Sequence, residues 1–191
     1  MPQSFRKSLI SQCSAILFVI ALFAPMTIHA QGVKSRSGDA SVNVGVNNVS
    51  IIENKAHVEF GFSGGYNFIR QLALSGEFSY MPQSAGNANL NIGLYGLNLR
   101  YSPFVAPFKT TRVVPYMVVS EGYAHFGSTG GSLNGSYFGL GAGTSFYLTR
   151  NLGIRPEYRW EDLEYVASNQ SFFNNAHHFT ISAFYQWGGR E

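Results

Sequence analysis

The sequence predicts an all-β fold: an eight-stranded antiparallel up-and-down transmembrane β-barrel. Three observations predict it. The stretch Leu152 to Glu161 alternates strictly, with Leu152, Ile154, Pro156, Tyr158 and Trp160 on one parity and Gly153, Arg155, Glu157, Arg159 and Glu161 on the other. Period two over ten residues defines a strand with two opposed faces. Charged residues make up only 12% of the 191-residue chain while aromatics reach 15%, against roughly 25% charged in an average soluble domain. That is too little charge to coat a water-facing exterior, so the ionic face is read as interior and the aromatic face as lipid-facing. Finally, segments of the same alternating kind recur along the chain.

Residues 1–30 read as a secretory signal peptide and residues 31–191 as the barrel domain. Arg6 and Lys7 form a basic start, Ser14 to Ala24 is a short apolar core, Pro25 breaks it, and Ile28-His29-Ala30 offers a cleavage site. The apolar run is shorter than the roughly 18 residues of a spanning helix. Cys13, the single cysteine, leaves with this segment, so no disulfide or thiol chemistry is expected beyond it. Cleavage removes two of 13 basic residues (13 − 2 = 11) against 10 acidic ones, so the net charge falls from +3 to +1. Nothing in that balance points to nucleic acid.

Gln31 to Gly38 reads as a polar lead-in. Strands are then expected at Ser41–Asn47, His57–Phe68, Leu72–Tyr80, Asn89–Tyr101, Val114–His125, Ser136–Leu148, Leu152–Glu161 and His177–Trp187. Each is near the 9–11 residues that cross a membrane at a tilt of about 45°. Most carry one apolar parity: Val42, Val44 and Val46 in the first; Val58, Phe60, Phe62, Tyr66 and Phe68 in the second; Phe179, Ile181, Ala183, Tyr185 and Trp187 in the last. Two do not. In the fourth, Leu90, Ile92 and Leu94 give way to Leu97, Leu99 and Tyr101, which implies a bulge near Tyr95-Gly96. The fifth has apolar residues on both parities. Loops fall at 48–56, 81–88, 102–113, 126–135 and 162–176, with short turns at 69–71 and 149–151. Apart from the turn after the fourth strand, this is the short-turn, long-loop asymmetry of outer-membrane barrels. Pro156 has no N–H to give a ladder, so it is expected near the turn-side rim, at a bulge or beside water.

The inward parity carries Glu59, Glu77, Arg155, Glu157, Arg159 and Glu161, with Arg100 joining after the bulge. An eight-stranded lumen is only wide enough for its own side chains, and buried charges have to be paired. The expectation is a structural ion-pair cluster closing the lumen; a narrow gated pore is the alternative. Tyr66, Tyr80, Tyr101, Tyr116, Tyr158, Trp160, Tyr185 and Trp187 are expected in two interfacial aromatic girdles.

R-P-E-Y-R-W in the seventh strand, G-L-G-A-G before it and the closing F-T-I-S-A-F-Y-Q-W resemble the eight-stranded outer-membrane barrels of the OmpA and opacity-protein type, across essentially all of Ser41 to Trp187. The resemblance implies a Gram-negative outer membrane and insertion by the outer-membrane assembly machinery.

No catalytic, cofactor or metal site is expected. His177 and His178, with Thr180 and Ser182 nearby, lack a convincing orienting acid for the triad of a lipid-acting hydrolase. His57, His125, His177 and His178 show no diagnostic ligand spacing. Gly139-x-Gly141-x-Gly143 is not a nucleotide loop, since no helix follows; small inward residues make room for large neighbours. The expected role is a non-enzymatic one in envelope integrity or surface presentation. The alternative is an adhesin or receptor acting through loops 48–56, 126–135 and 162–176, where Ile51-Ile52 and Phe172-Phe173 supply apolar contacts. A soluble β-barrel with the faces inverted is the rival fold.

Overall fold

The computed structural model describes residues 33–49, 56–85, 88–103, 112–128, 131–167 and 170–190. The expected signal peptide and the apolar pair Ile51-Ile52 lie outside them. Eight strands follow one another: β1 Ser35–Val49, β2 Ala56–Ile69, β3 Leu72–Ala85, β4 Ala88–Tyr101, β5 Val113–Ser128, β6 Gly131–Tyr147, β7 Leu152–Ala167 and β8 Gln170–Arg190. Each pairs antiparallel with the next and β8 closes on β1, so the sheet has no free edge. In hydrocarbon that closure is obligatory, because every unpaired backbone group costs several kcal/mol.

The register fixes the barrel's dimensions. Following paired residues from Ser37 through Asn67, Ala73, Arg100, Val118, Gly141, Arg159 and His178 returns to β1 at Asn47, a stagger of 47 − 37 = 10 residues. Ten residues of stagger over eight strands give a tilt of about 41° and a backbone radius of about 8 Å. Each residue then climbs about 2.5 Å, so roughly ten residues cross a 25 Å apolar band. The strands are 14 to 21 residues long, and they continue past that band at the end away from the termini. There the outward residues turn polar: Asn91, His125, Asn134, Asp162 and Asn175.

This extra length corrects the expected loops. Segments 126–135 and 162–176 are mostly paired strand, with only residues 129–130 and 168–169 lying between the strand ends. Residues 81–85 belong to β3, and β1 begins at Ser35 rather than in a polar lead-in. Serine, asparagine and glycine read as loop formers, but above the membrane the outward face of a hairpin meets water and tolerates them. The connection between β4 and β5, residues 102–112, is longer than any at the far end, so length does not separate the two ends.

Two further expectations are overturned. β4 pairs without a register shift on both sides, so there is no bulge at Tyr95-Gly96. Ile92 and Leu94 instead point inward on the same parity as Asn98 and Arg100, and all four are buried. Pro156 is not at the rim. It faces outward about midway up the band, paired with Ile181 on one side. On the other side the β6–β7 pairing jumps from Gly143↔Glu157 to Phe146↔Ile154 with the register kept. The ladder accommodates the missing N–H by a local break, not by a shift.

Candidate functional site

Among the described residues the chemistry-bearing side chains converge in the lumen, and its two walls differ. β8, β1, β2 and β3 line one wall mostly with short polar residues, Ser41, Asn43, Ser63, Ser75, Thr180 and Ser182, among which Glu59, Glu77 and His178 are the longer ones. β4, β5 and β7 send long side chains across from the other. Space for these is made by glycines. A Cβ on Gly141 would collide with the Arg159 side chain, one on Gly143 with the Tyr116 hydroxyl, and one on Gly96 with the Tyr137 hydroxyl. The alternating glycines of β6 are thus steric relief for β5 and β7.

The charged groups are stacked in layers. Nearest the termini, Asp39 Oδ2 accepts from Arg100 Nη2 at 2.6 Å and from Arg155 Nη2 at 3.2 Å. Arg155 Nε also donates to Ser145 Oγ at 3.2 Å, and its guanidinium lies 4.4 Å from the centre of the Phe184 ring. In the middle layer Arg159 meets three carboxylates: Glu77 at 2.6 Å, Glu157 at 2.7 Å and Glu161 at 3.5 Å. Tyr116 donates to Glu157 at 2.6 Å, while Asn98 Nδ2 and Ser79 Oγ donate to Glu77. In the upper layer His178 sits between Glu59 and Glu161, each 2.9 Å from a ring nitrogen, with the Asn47 side chain against the ring.

Apolar clusters bound this stack at both ends. Beyond His178, away from the termini, Met81, Ile92, Leu94, Ala124, Phe126, Tyr137, Leu163 and Ala176 are packed together inside the barrel. At the terminus end Val114, Tyr147 and Phe184 form a smaller cluster, with Val33 packed against it.

Glu59, Glu77, Arg100, Arg155, Glu157, Arg159 and Glu161 are all brought into this lumen. Sequence reasoning missed Asp39, which shares parity with Ser37 and Ser41 on a stretch of β1 read as lead-in. It also missed His178, whose parity with Thr180 and Ser182 was the available signal. Of the expected girdle residues, Tyr66, Tyr80, Tyr101, Tyr158, Tyr185 and Trp187 are exposed on the outer face and Trp160 is half-buried there. Tyr116 is a correction: it is 4% exposed and lies in the lumen. β5 is apolar on both faces, so parity alone could not orient it. The histidines do not form a unit. His177 faces outward, its Nδ1 2.8 Å from the Tyr158 hydroxyl; His125 pairs with Asn134; His178 is buried in the lumen. Among the described residues no group of three or more His, Cys, Asp or Glu is placed to hold a metal ion.

An edgeless eight-stranded sheet with an apolar outer band and an ionic interior is a transmembrane β-barrel of the outer-membrane type. The chain belongs to the outer membrane protein beta-barrel domain family, which it matches over residues 15–186. It is an outer-membrane protein of the Gram-negative envelope. Among solved structures it is similar to Neisserial surface protein A (TM-score 0.63, 16% identity, covering 79% of this chain and 96% of that one). It is also similar to Ail, the attachment invasion locus protein of Yersinia pestis (0.53, 15%, 80% and 99%). A third is the outer membrane protein OprG of Pseudomonas aeruginosa (0.54, 11%, 84% and 100%). At these identities the likeness is one of fold. No curated protein matches the chain in sequence.

Proposed function

We propose that this is a non-enzymatic envelope protein whose lumen is sealed, serving envelope integrity or surface presentation and not transport. The observation that carries the reading is the order of layers inside the barrel: apolar cluster, ion pairs, apolar cluster. A pore needs a continuous wet path. Here three guanidiniums and a histidine are spent on five carboxylates, and the far end is stoppered by Met81, Ile92, Leu94 and Phe126. Breaking a buried pair by removing one partner costs about 3–5 kcal/mol, so the network resists opening. The outer face contacts lipid, with its Tyr and Trp residues at the two interfaces. Planar-bilayer recording tests the reading. The purified, refolded barrel is expected to give no steady conductance, and a stable open channel at low voltage would refute it.

A second reading is supported by the strand extensions. Paired strands that continue beyond the apolar band hold the far-end hairpins on a stiff platform, as a surface that recognises an extracellular partner requires. Whole-cell binding by barrels with the 126–135 or 162–176 segment shortened tests this; unchanged binding would remove it.

A further inference from the structure

The layer nearest the termini carries an excess of positive charge beside a cavity. Arg100 and Arg155 converge on a single oxygen, Asp39 Oδ2. Two guanidiniums therefore share one carboxylate. The next carboxylate along β7, Glu157, is engaged by Tyr116 and Arg159 instead. Arg100 Nε is buried and meets no acceptor among the described residues. Asp39 Oδ1 is also buried without a donor, but Asp39 does not line the cavity. The cavity, about 20 Å³, lies at the terminus-side mouth and is lined by Arg70, Arg100 and Arg155 with the hydroxyl-bearing Ser102, Ser145 and Tyr147. Among the described residues no carboxylate lines it. Arg70 is held over it by the turn between β2 and β3, which is pinned where Ser102 N donates to Gln71 O at 2.8 Å.

We propose that this cavity binds a small monovalent anion of chloride size. A site of about 10–15 Å³ already admits one water, so 20 Å³ holds one such ion. Three arginines line it, two of them sharing the single carboxylate of Asp39, and burial strengthens their attraction for an anion relative to water. An anion here would be offered the guanidinium, amide and hydroxyl donors that line the cavity, with no lining carboxylate among the described residues to compete for them. A second lumenal cavity of about 20 Å³ touches the same Arg100 and Arg155 but is also lined by Glu77 and Glu157. Those carboxylates repel anions, so it serves as an internal control.

The test uses the full mature barrel refolded in phosphate-free micelles. Amide and arginine Nε–H signals are followed by NMR as sodium chloride replaces sodium gluconate at constant ionic strength. Saturable shifts are expected at Arg100, Arg155 and Ser102, weakened several-fold by Arg70→Gln, a turn residue outside the ion-pair network. Crystals grown in sodium bromide should give an anomalous peak in the mouth cavity and none in the second. Absence of saturable shifts, equal shifts in gluconate, or bromide density in the acidic cavity would each overturn the proposal.

Discussion

Arg159→Met keeps an unbranched apolar stem at the centre of the lumen and removes the guanidinium with its charge. Arg159 is 3% exposed and stands within 3.5 Å of Glu77, Glu157 and Glu161. Removing one partner of a buried pair costs about 3–5 kcal/mol. Three such pairs do not triple that figure, because each carboxylate keeps another donor. Glu77 retains Asn98 and Ser79, Glu157 retains Tyr116, and Glu161 retains His178. The expected loss is therefore about 3–5 kcal/mol in all, a large part of the 5–15 kcal/mol that holds a typical domain. Reversible urea unfolding in lipid vesicles, read by the fluorescence of Trp160 and Trp187, measures it. If Arg159→Met does not refold, the cycle is run with Arg159→Lys, which keeps the charge and loses the fork. Adding Glu77→Gln should recover part of the loss, a coupling of about 1–3 kcal/mol. A loss under about 1 kcal/mol, the range of exposed ion pairs, would show that Arg159 is solvated and that the lumen is not a sealed ionic core.

Tyr116→Phe removes the hydroxyl donated to Glu157 and should cost about 1.5–3 kcal/mol, the worth of a hydrogen bond to a charged group, in the same unfolding assay. Gly141→Ala places a methyl against the Arg159 side chain and the Tyr158 carbonyl, whereas Gly76→Ala, on the outer face, meets nothing within 4 Å. The first is expected to destabilise by about 1–3 kcal/mol, as overpacking does, and the second to be neutral or slightly stabilising; equal effects would mean the inward face of β6 is misassigned. Nitroxide labels at Val44, 50% exposed in the apolar band, and at Asp162 above it should report lipid-dissolved oxygen and water respectively, and reversed accessibilities would displace the membrane band.

The barrel was legible where one face alone was apolar. In β1, β2, β7 and β8 the alternation that defines the strand also defines which side meets lipid, and their parity follows burial residue by residue. It was least legible in β4 and β5, where inward positions are themselves apolar. Ile92, Leu94, Ala124 and Phe126 break the outward-apolar rule because they pack in a cluster inside the barrel. A change of parity in a transmembrane strand thus has two physical causes, a bulge or a change in what the interior holds, and only the pairing of the neighbouring strands separates them. The strand ends were hidden for a different reason. Above the membrane the outward face no longer has to be greasy, so hairpin composition there resembles that of loops.

The ionic site was partly legible for the same reason. Four charges on one parity of β7 leave little choice about where they point. Asp39 and His178 carry no such pattern: each is a single polar residue among serines, asparagines and threonines, and its partners lie 61 and 116, or 119 and 17, positions away (Asp39 with Arg100 and Arg155, His178 with Glu59 and Glu161). What selects them is the stagger of ten residues around the barrel, which lifts His178 level with Asn47 and leaves Asp39 near the terminus end. The stagger also sets which charges can compensate. Asp39 is the only carboxylate within ion-pair reach of Arg100 and Arg155 among the described residues, while Arg159 faces three. The lumen is therefore polarised along its axis, with basic excess toward the termini and acidic excess toward the far end. Neither strand sequence nor net charge encodes that polarity; closure of the sheet creates it.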